Sequence, residues 1–314
     1  MNSTLIYLKR RLQHILLIAL ALFMQLLLAS TAKAETRCYS SVPTLINKSV
    51  TAPKAVAIAI HGFGLHKGSY DAFAQEMKKR NITTYAMDVR GFGDWQRYCP
   101  YRALNFKNAI NDIDQLVSTI KTTYPGAKIY IIGESMGGAI ALAYASQHEG
   151  DVDGVIASVP AYARTQGPSA NLLVAAKYLF SAGGHIDVDK SVVRRASSNQ
   201  VLRSNWRNDR YARLQFSISE LFRFNHFMKH GIAFARSINS TPVLVLQGKL
   251  DRLIKPSGTT KLFDELRTQD KELVMFDQEE HLLLEEKEVS KNVVARIDQW
   301  IDQHQSPSLV ATLR

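Results

Sequence analysis

The sequence predicts an α/β fold with a mostly parallel, doubly wound sheet, and three observations carry the prediction. Six short apolar runs rich in valine and isoleucine are typical of buried parallel strands. Segments with helical spacing separate these runs, and the alternation implies helices on both faces of the sheet. The predicted strands are Ala55–Ile60, Thr83–Asp88, Ile129–Ile132, Val155–Val159, Val243–Gln247 and Glu272–Phe276.

Helices are predicted over Tyr70–Arg80, from Ile110 to Ile120 and from Val289 to Ile301. The alternation breaks at about residues 163–239, where the sequence has helical patches but no convincing strand. This span therefore reads as an insertion after the strand that ends at Val159. Ligands bind at the carboxyl edge of open α/β sheets, so an insertion there is placed to act as a cap.

Residues 1–34 read as a secretory signal peptide. Lys9, Arg10 and Arg11 precede an uncharged apolar run from Ile15 to Leu28, and Ala32-Lys33-Ala34 offers a small-residue cleavage site. Cleavage after Ala34 leaves a mature domain of residues 35–314, which would be periplasmic or secreted. The alternative is an uncleaved membrane anchor, since the apolar run approaches the roughly 20 residues of a spanning helix.

The chain is basic, with 39 Lys and Arg against 28 Asp and Glu and a formal net charge of +11. The leader contains four bases and no acids, so the mature chain keeps a net charge of +7. This excess favours anionic surfaces or substrates. The bases are scattered and no recognition module is visible, which argues against a nucleic-acid partner. The mature length suits one α/β domain with an insertion, and the oligomeric state stays open.

Cys38 and Cys99 are the only cysteines. Export places them where a disulfide can persist, so we expect them to pair. Two free thiols are the alternative.

A serine stands at a predicted strand-turn-helix junction. The segment Gly133-Glu134-Ser135-Met136-Gly137 follows the third predicted strand and precedes an apolar helical run. The pattern G-x-S-x-G in this setting is typical of a nucleophile elbow, in which glycines permit the strained turn that exposes the serine oxygen. Ser135 is the candidate nucleophile, and an ordinary helix N-cap is the alternative.

A serine nucleophile needs a base to take its proton and an acid to orient that base. In this kind of fold the three come in chain order serine, acid, histidine, each after a strand. Asp251 follows the strand that ends at Gln247, and His281 follows the strand that ends at Phe276. A lone aspartate is more often a cap and a lone histidine more often structural, but both stand in the required order.

The oxyanion of acyl transfer needs preorganised donors. The loop His61-Gly62-Phe63-Gly64 directly follows the first predicted strand. We assign the backbone N–H groups of Phe63 and Met136 to the oxyanion hole, with His61 as a brace of the loop.

These segments resemble the α/β-hydrolase family, and within it the monoglyceride lipase and lysophospholipase group, which is similar to the serine aminopeptidases S33. The resemblance covers nearly all of the mature chain, although Phe92 stands where such proteins often have histidine. It implies a triad of Ser135, Asp251 and His281, an acyl-enzyme intermediate, a lipid-admitting cap, and no metal or cofactor. The segments that carry it are His61 to Gly64, Asp88 to Gly93, Gly133 to Gly138, Gln247-Gly248 with Asp251, and Glu280 to Leu283.

The insertion contains apolar residues that could line an acyl-chain channel, although residues with this spacing more often form the core of the cap itself. One cluster comprises Leu172, Leu173, Val174, Leu179 and Phe180; a second includes the proposed substrate-binding residues Phe216, Phe222, Phe224 and Phe227, with Leu221 and Met228. Arginines interleaved with them predict a basic rim that suits an anionic membrane surface or head group. An ordinary solvated helix face is the alternative. These arginines are Arg194, Arg195, Arg203, Arg207, Arg210, Arg213 and Arg223.

The leading interpretation is a serine hydrolase that cleaves a monoacylglycerol, a lysophospholipid or another single-chain ester. An aminopeptidase of the same fold is the second reading, but it would need an acidic pocket for the free amine of its substrate. A water-excluding acyltransferase would transfer the acyl group to an acceptor. A non-catalytic binding protein is disfavoured, because fold stability alone does not ask for all three triad residues.

Overall fold

The computed structural model describes residues 41–98, 103–162 and 185–305. The predicted leader, Cys38, Cys99 and the tail from Ser306 lie outside these residues. So does the first apolar cluster of the insertion, at residues 172–180.

A seven-stranded sheet forms the centre of the molecule. Its strands are β1 (Thr44–Asn47), β2 (Ala55–Ile60), β3 (Ile82–Met87), β4 (Lys128–Glu134), β5 (Gly154–Ser158), β8 (Val243–Gly248) and β9 (Lys271–Phe276), while β6 (His185–Asp187) and β7 (Gln215–Ser217) form a separate ribbon. The sheet order is β1-β3-β2-β4-β5-β8-β9. β1 runs antiparallel to β3, and all the other neighbours are parallel.

The helices lie between these strands in the alternating order that the sequence predicts. They are α1 (Asp71–Lys79), α2 (Asp94–Tyr98), α3 (Phe106–Thr123), α4 (Met136–Ala145), α5 (Val193–Ala196), α6 (Gln200–Asn208), α7 (Ile218–Lys229), α8 (Gly231–Ser237), α9 (Pro256–Asp264) and α10 (Lys291–Gln303), with a 3-10 turn at Lys67–Tyr70. No helix in the described ranges is both long enough and apolar enough to cross a membrane.

The sheet buries both of its faces, as a parallel sheet requires. Along β2, Val56 and Ile58 belong to one core and Ala57 and Ala59 to the other, because successive side chains point to opposite faces. Helices α1 and α10 cover one face, and α3 and α4 cover the other. The prediction of a doubly wound, mostly parallel sheet is confirmed.

Two predictions about strands need correction. The insertion was expected to lack strands, but β6 and β7 pair antiparallel within it. Each has three residues without an apolar run, so hydrophobic patterning could not reveal them. β1 was not predicted either, because this edge strand is short and only partly buried.

The described part of the insertion, from residue 185 onward, contacts loops at the carboxyl ends of two strands. Trp206 Nε1 and the backbone N–H of Arg213 both donate to the Gly64 carbonyl, at 3.2 and 3.0 Å. The His281 N–H donates to the Ala196 carbonyl at 3.3 Å. These bonds hold the insertion over the loops that follow β2 and β9.

Candidate active site

Ser135 lies at the sharp turn between β4 and α4, with φ 54° and ψ −110°. A non-glycine residue at positive φ is strained, and the surrounding bonds hold it there. The Ser135 N–H donates to the Ser158 carbonyl at 2.9 Å, and the Ser135 carbonyl accepts from Ala161 at 2.9 Å. A Cβ at Gly137 would overlap the Ile60 carbonyl oxygen, so the turn needs glycine at that position.

Asp251 and His281 form a buried hydrogen-bonded pair, with 2.8 Å between Asp251 Oδ2 and His281 Nδ1. The Leu253 and Ile254 N–H groups donate to Asp251 Oδ1 at 2.7 and 2.9 Å. Burial works to raise the pKa of Asp251, but His281 and these N–H groups outweigh it and hold the pKa below its usual value. The ionised Asp251 carboxylate accepts a hydrogen bond from Nδ1–H of His281, so Nε2 of the ring is left free to accept a proton from a substrate or a nucleophile.

The structure brings Ser135 to the same pocket as His281. The three residues predicted as a triad, which are far apart in sequence, therefore meet at one site.

The loop after β2 carries the first predicted oxyanion donor. Across the described chain, neither Phe63 N–H nor Met136 N–H has an intramolecular acceptor. His61 donates from Nδ1 to the Gly62 carbonyl at 2.8 Å and accepts from the Val89 N–H at Nε2, 3.0 Å away. Burial lowers the pKa of His61 to about 4, so this histidine braces the loop as a neutral ring.

The pocket beside Ser135 has an apolar wall. Its apolar lining residues are Phe63, Leu65, Ala161, Val192, Trp206, Phe224, Met228, Leu253, Ile254 and Leu282. None of the described residues that line it is acidic. Several of them, including Val192 and Ile254, were not singled out from the sequence because their segments carry no recognisable motif.

The four phenylalanines predicted to bind substrate lie in different places. Phe224 lines the pocket and stacks on Phe63 at 4.6 Å between ring centroids. Phe216 stacks on the same ring at 4.2 Å but does not line the described pocket. Phe227 packs on Phe106 at 3.9 Å, and Phe222 lies at the surface. Phe216 and Phe227 are therefore buried in packing contacts, Phe224 also faces the pocket, and a substrate-binding role for these residues stays a prediction.

Arg213 does not belong to a solvent-facing rim. Its side chain donates to the Gly91 carbonyl at 3.0 Å, pairs with Glu220 at 2.7 Å and lies over the Phe216 ring. It therefore joins the cap to the core. Of the other arginines in the predicted rim, Arg207 pairs with Asp189, and Arg195 donates to the Arg252 carbonyl.

Two buried glutamates near the site were not predicted from the sequence. Glu134 occupies the variable position of the elbow motif, and Glu285 follows three leucines after His281. Both are buried, and both bond to loops of the site. The sequence signal that could have identified them is an acidic residue just after an apolar run, since Glu134 follows β4 residues Ile131 and Ile132 and Glu285 follows three leucines.

The family model described as "Serine aminopeptidase, S33" matches residues 51–288. Monoglyceride lipase of Rattus norvegicus is 30% identical over 283 residues, which cover 84% of this chain and 91% of that protein. Monoacylglycerol lipase of Mycolicibacterium smegmatis is 27% identical over 259 residues, covering 81% and 90%.

Solved structures show the same fold. Monoacylglycerol lipase of Paleococcus ferrophilus aligns with a TM-score of 0.69 at 24% identity, over 83% of this chain and 99% of that one. A soluble variant of Saccharomyces cerevisiae monoglyceride lipase, in complex with a substrate analogue, gives 0.71 at 20% identity, over 84% and 92%. The fold and site define an α/β-hydrolase. Within that class, the chain belongs to the serine aminopeptidase S33 family.

Proposed function

We propose that this protein is a serine ester hydrolase whose substrate is a monoacylglycerol or a closely related single-chain lipid ester. The observation that carries the proposal is the buried Asp251–His281 pair in an apolar pocket that also contains Ser135. The relatives named monoglyceride lipase support the choice of substrate.

In the proposed reaction, Ser135 Oγ attacks the ester carbonyl carbon while His281 Nε2 takes the hydroxyl proton. The resulting oxyanion accepts hydrogen bonds from Phe63 N–H and Met136 N–H, each worth about 3 kcal/mol in the transition state. Collapse of the intermediate breaks the ester bond, and His281 returns the proton to the leaving alcohol. A water molecule then hydrolyses the acyl-enzyme by the same steps and releases the fatty acid.

The pocket favours an acyl chain over the amino terminus of a peptide. A free α-amine calls for an acidic partner, and the described lining residues supply apolar contacts instead. An acyltransferase would share every residue of this site, so product analysis with and without an added acyl acceptor separates it from a hydrolase.

The decisive experiment joins covalent labelling with turnover. We expect a fluorophosphonate to label Ser135, and Ser135→Ala to lose roughly 10⁴-fold or more of its activity on monoacylglycerol, by analogy with other triads. Ser146→Ala, in a serine beyond the end of α4, is the matched control and should keep both labelling and turnover. A folded Ser135→Ala protein with undiminished ester cleavage would falsify the proposal.

We also propose that residues 1–34 direct export, on the strength of their basic start, apolar run and small-residue cleavage site. The exported enzyme would meet its lipid at a membrane surface. The net positive charge of the mature chain favours an anionic surface.

A further inference from the structure

Two carboxyl groups lie buried behind the candidate site and have no part in the proposed reaction. Glu134 immediately precedes Ser135, and Glu285 lies four residues after His281. Glu134 is fully buried, and Glu285 is 5% exposed. Buried carboxyl groups are costly unless each one is hydrogen-bonded or protonated, so the bonds around them indicate where the charge lies.

Glu134 is bonded as a carboxylate. Its Oε2 accepts from the Leu283 and Leu284 N–H groups at 2.9 and 3.0 Å, and from the Ser158 hydroxyl at 2.9 Å. Its Oε1 accepts from the Glu285 N–H at 3.3 Å. Three of these partners are N–H groups that can only donate, and the Ser158 hydroxyl donates to Oε2, so the four bonds fit a carboxylate.

Glu285 has the opposite pattern. Its Oε2 accepts from the Gly62 N–H at 2.7 Å. Its Oε1 lies 2.6 Å from Ser69 Oγ, which also lies 2.6 Å from the His66 carbonyl oxygen. A serine hydroxyl has one proton, and the carbonyl oxygen can only accept. Ser69 can direct this proton at only one of the two acceptors, so both short contacts are full hydrogen bonds when Ser69 donates to His66 and a protonated Glu285 donates to Ser69.

Electrostatics support the same assignment. Burial, and then the nearby charge of Glu134, raise the pKa of Glu285 well above its usual value. Burial also raises the pKa of Glu134, to about 7 against the opposition of His281 and of the donors from Leu283, Ser158 and Leu284, so Glu285 is the more readily protonated of the two. Tyr70 also lies near enough to Glu285 to interact with its charge. The other titratable or charged groups that face Glu285 line the adjacent cavity and are His66, Asp71, Asp209, Glu286 and Lys287.

We propose that Glu285 is a positioning residue that works as a neutral carboxylic acid. It ties the loop of His281 to the oxyanion loop at Gly62, and Glu134 fixes its backbone. A neutral acid holds the peptide next to Phe63 without adding a negative charge near the developing oxyanion. This inference rests on the proposed ester hydrolysis at Ser135.

The test compares Glu285→Gln with Glu285→Leu. The glutamine carbonyl can accept from Gly62 and its NH2 can donate to Ser69, as the protonated acid does. We expect kcat/KM of Glu285→Gln to stay within about threefold of wild type at pH 7. Glu285→Leu should lose about tenfold or more in kcat with little change in KM, because a displaced oxyanion loop weakens transition-state binding.

Infrared spectroscopy locates the proton directly. At pH 7 the difference spectrum between wild type and Glu285→Gln should contain the C=O stretching band of a carboxylic acid. Glu288→Gln is the matched control, because it makes the same change at an exposed residue of the same loop and should keep both the band and the activity.

Three results would overturn the inference: no carboxylic acid band in the difference spectrum, a Glu285→Gln variant as impaired as Glu285→Leu, or a fully active Glu285→Leu. If Glu285→Leu does not fold, the band and the activity of Glu285→Gln still decide. Failure of the proposed function is distinguishable, since the wild-type protein would then neither cleave the ester nor react with the fluorophosphonate.

Discussion

Each ionisable residue around Ser135 has its charge state set by its own bonds. Asp251 is held as an anion by two backbone N–H groups, whereas His61 is held neutral because one ring nitrogen donates and the other accepts. His281 is hydrogen-bonded to Asp251 and lines the same pocket as Ser135. The site thus places a negative charge next to His281, where the proposed reaction forms an imidazolium, and keeps His61 uncharged in the proposed oxyanion loop.

The buried neutral state of His61 predicts a loss of stability in acid. The pKa of His61 in the folded protein is about 4, below the ordinary value of 6.5. The stability that the neutral ring contributes is therefore fully present above pH 6.5 and is lost as the pH falls through 4. The loss amounts to about 3 kcal/mol in the free energy of unfolding. We expect the difference in this free energy between wild type and His61→Gln, from urea titrations, to shrink by about this much from pH 7 to pH 4.

His185→Gln, at an exposed histidine, is the control, and its difference from wild type in the free energy of unfolding should not shrink between pH 7 and pH 4. A wild-type advantage over His61→Gln that is the same at both pH values would contradict a neutral His61.

At the scale of the elements, the described part of the insertion, residues 185–239, packs as a cap on the carboxyl edge of the sheet. The cap contacts the core through polar bonds at Gly64, Gly91 and Ala196 and through the stack of Phe216 and Phe224 on Phe63. Arg213 contributes to several of these contacts. Its partner Glu220 also accepts from the Leu104 N–H and closes the capping box at the start of α7.

Removal of the Arg213 guanidinium should loosen the cap. Arg213→Met keeps much of the apolar length but leaves Glu220 buried without its cation, a change that costs about 3 kcal/mol or more. We expect a lower Tm, faster proteolysis within residues 185–239 and weaker ester turnover. Arg210→Met, at a surface position three residues away, should behave as wild type. Equal protease resistance of both variants would argue against this role.

Sequence patterning located those elements that bury a continuous apolar run, and it placed Ser135, Asp251 and His281 because each follows such a run. It missed β6 and β7, whose pairing depends on the tertiary position of three-residue segments. It also missed the partnership of Glu134 with Glu285, since these residues lie 151 positions apart and belong to no shared motif. The role of Arg213 was misread because exposure cannot be inferred from charge alone.

At the scale of the whole molecule, the central sheet brings distant segments of the chain to one edge. The Asp88 N–H donates to the Pro43 carbonyl at 2.9 Å, and Asp88 also accepts from the Asp94 N–H at the start of α2. Pro43 and Asp94, each five residues along the chain from one of the two cysteines, are thus joined through Asp88. This arrangement supports the pairing of the two cysteines after export.

If residues 1–34 direct export as proposed, the mature protein begins at Glu35. If Cys38 and Cys99 then pair, this protein shows no reactive thiol when it is denatured without reduction. Closure of a loop of this length is worth roughly 4 kcal/mol in the loop-entropy model, so reduction should lower the Tm. Amino-terminal sequencing and thiol titration check the two parts separately. Protein made in the cytoplasm without residues 1–34 is the control, and two reactive thiols in the exported form would refute the disulfide.

The bonds at Gly64 have a mechanical consequence. Gly64, which follows the proposed oxyanion donor Phe63, is also the point where Trp206 and Arg213 attach the insertion. A displacement of the insertion relative to the sheet would therefore pull on Gly64 or break these two bonds. We expect such a displacement to shift the neighbouring N–H group of Phe63 as well, so the attachment couples the position of the insertion to the proposed oxyanion hole.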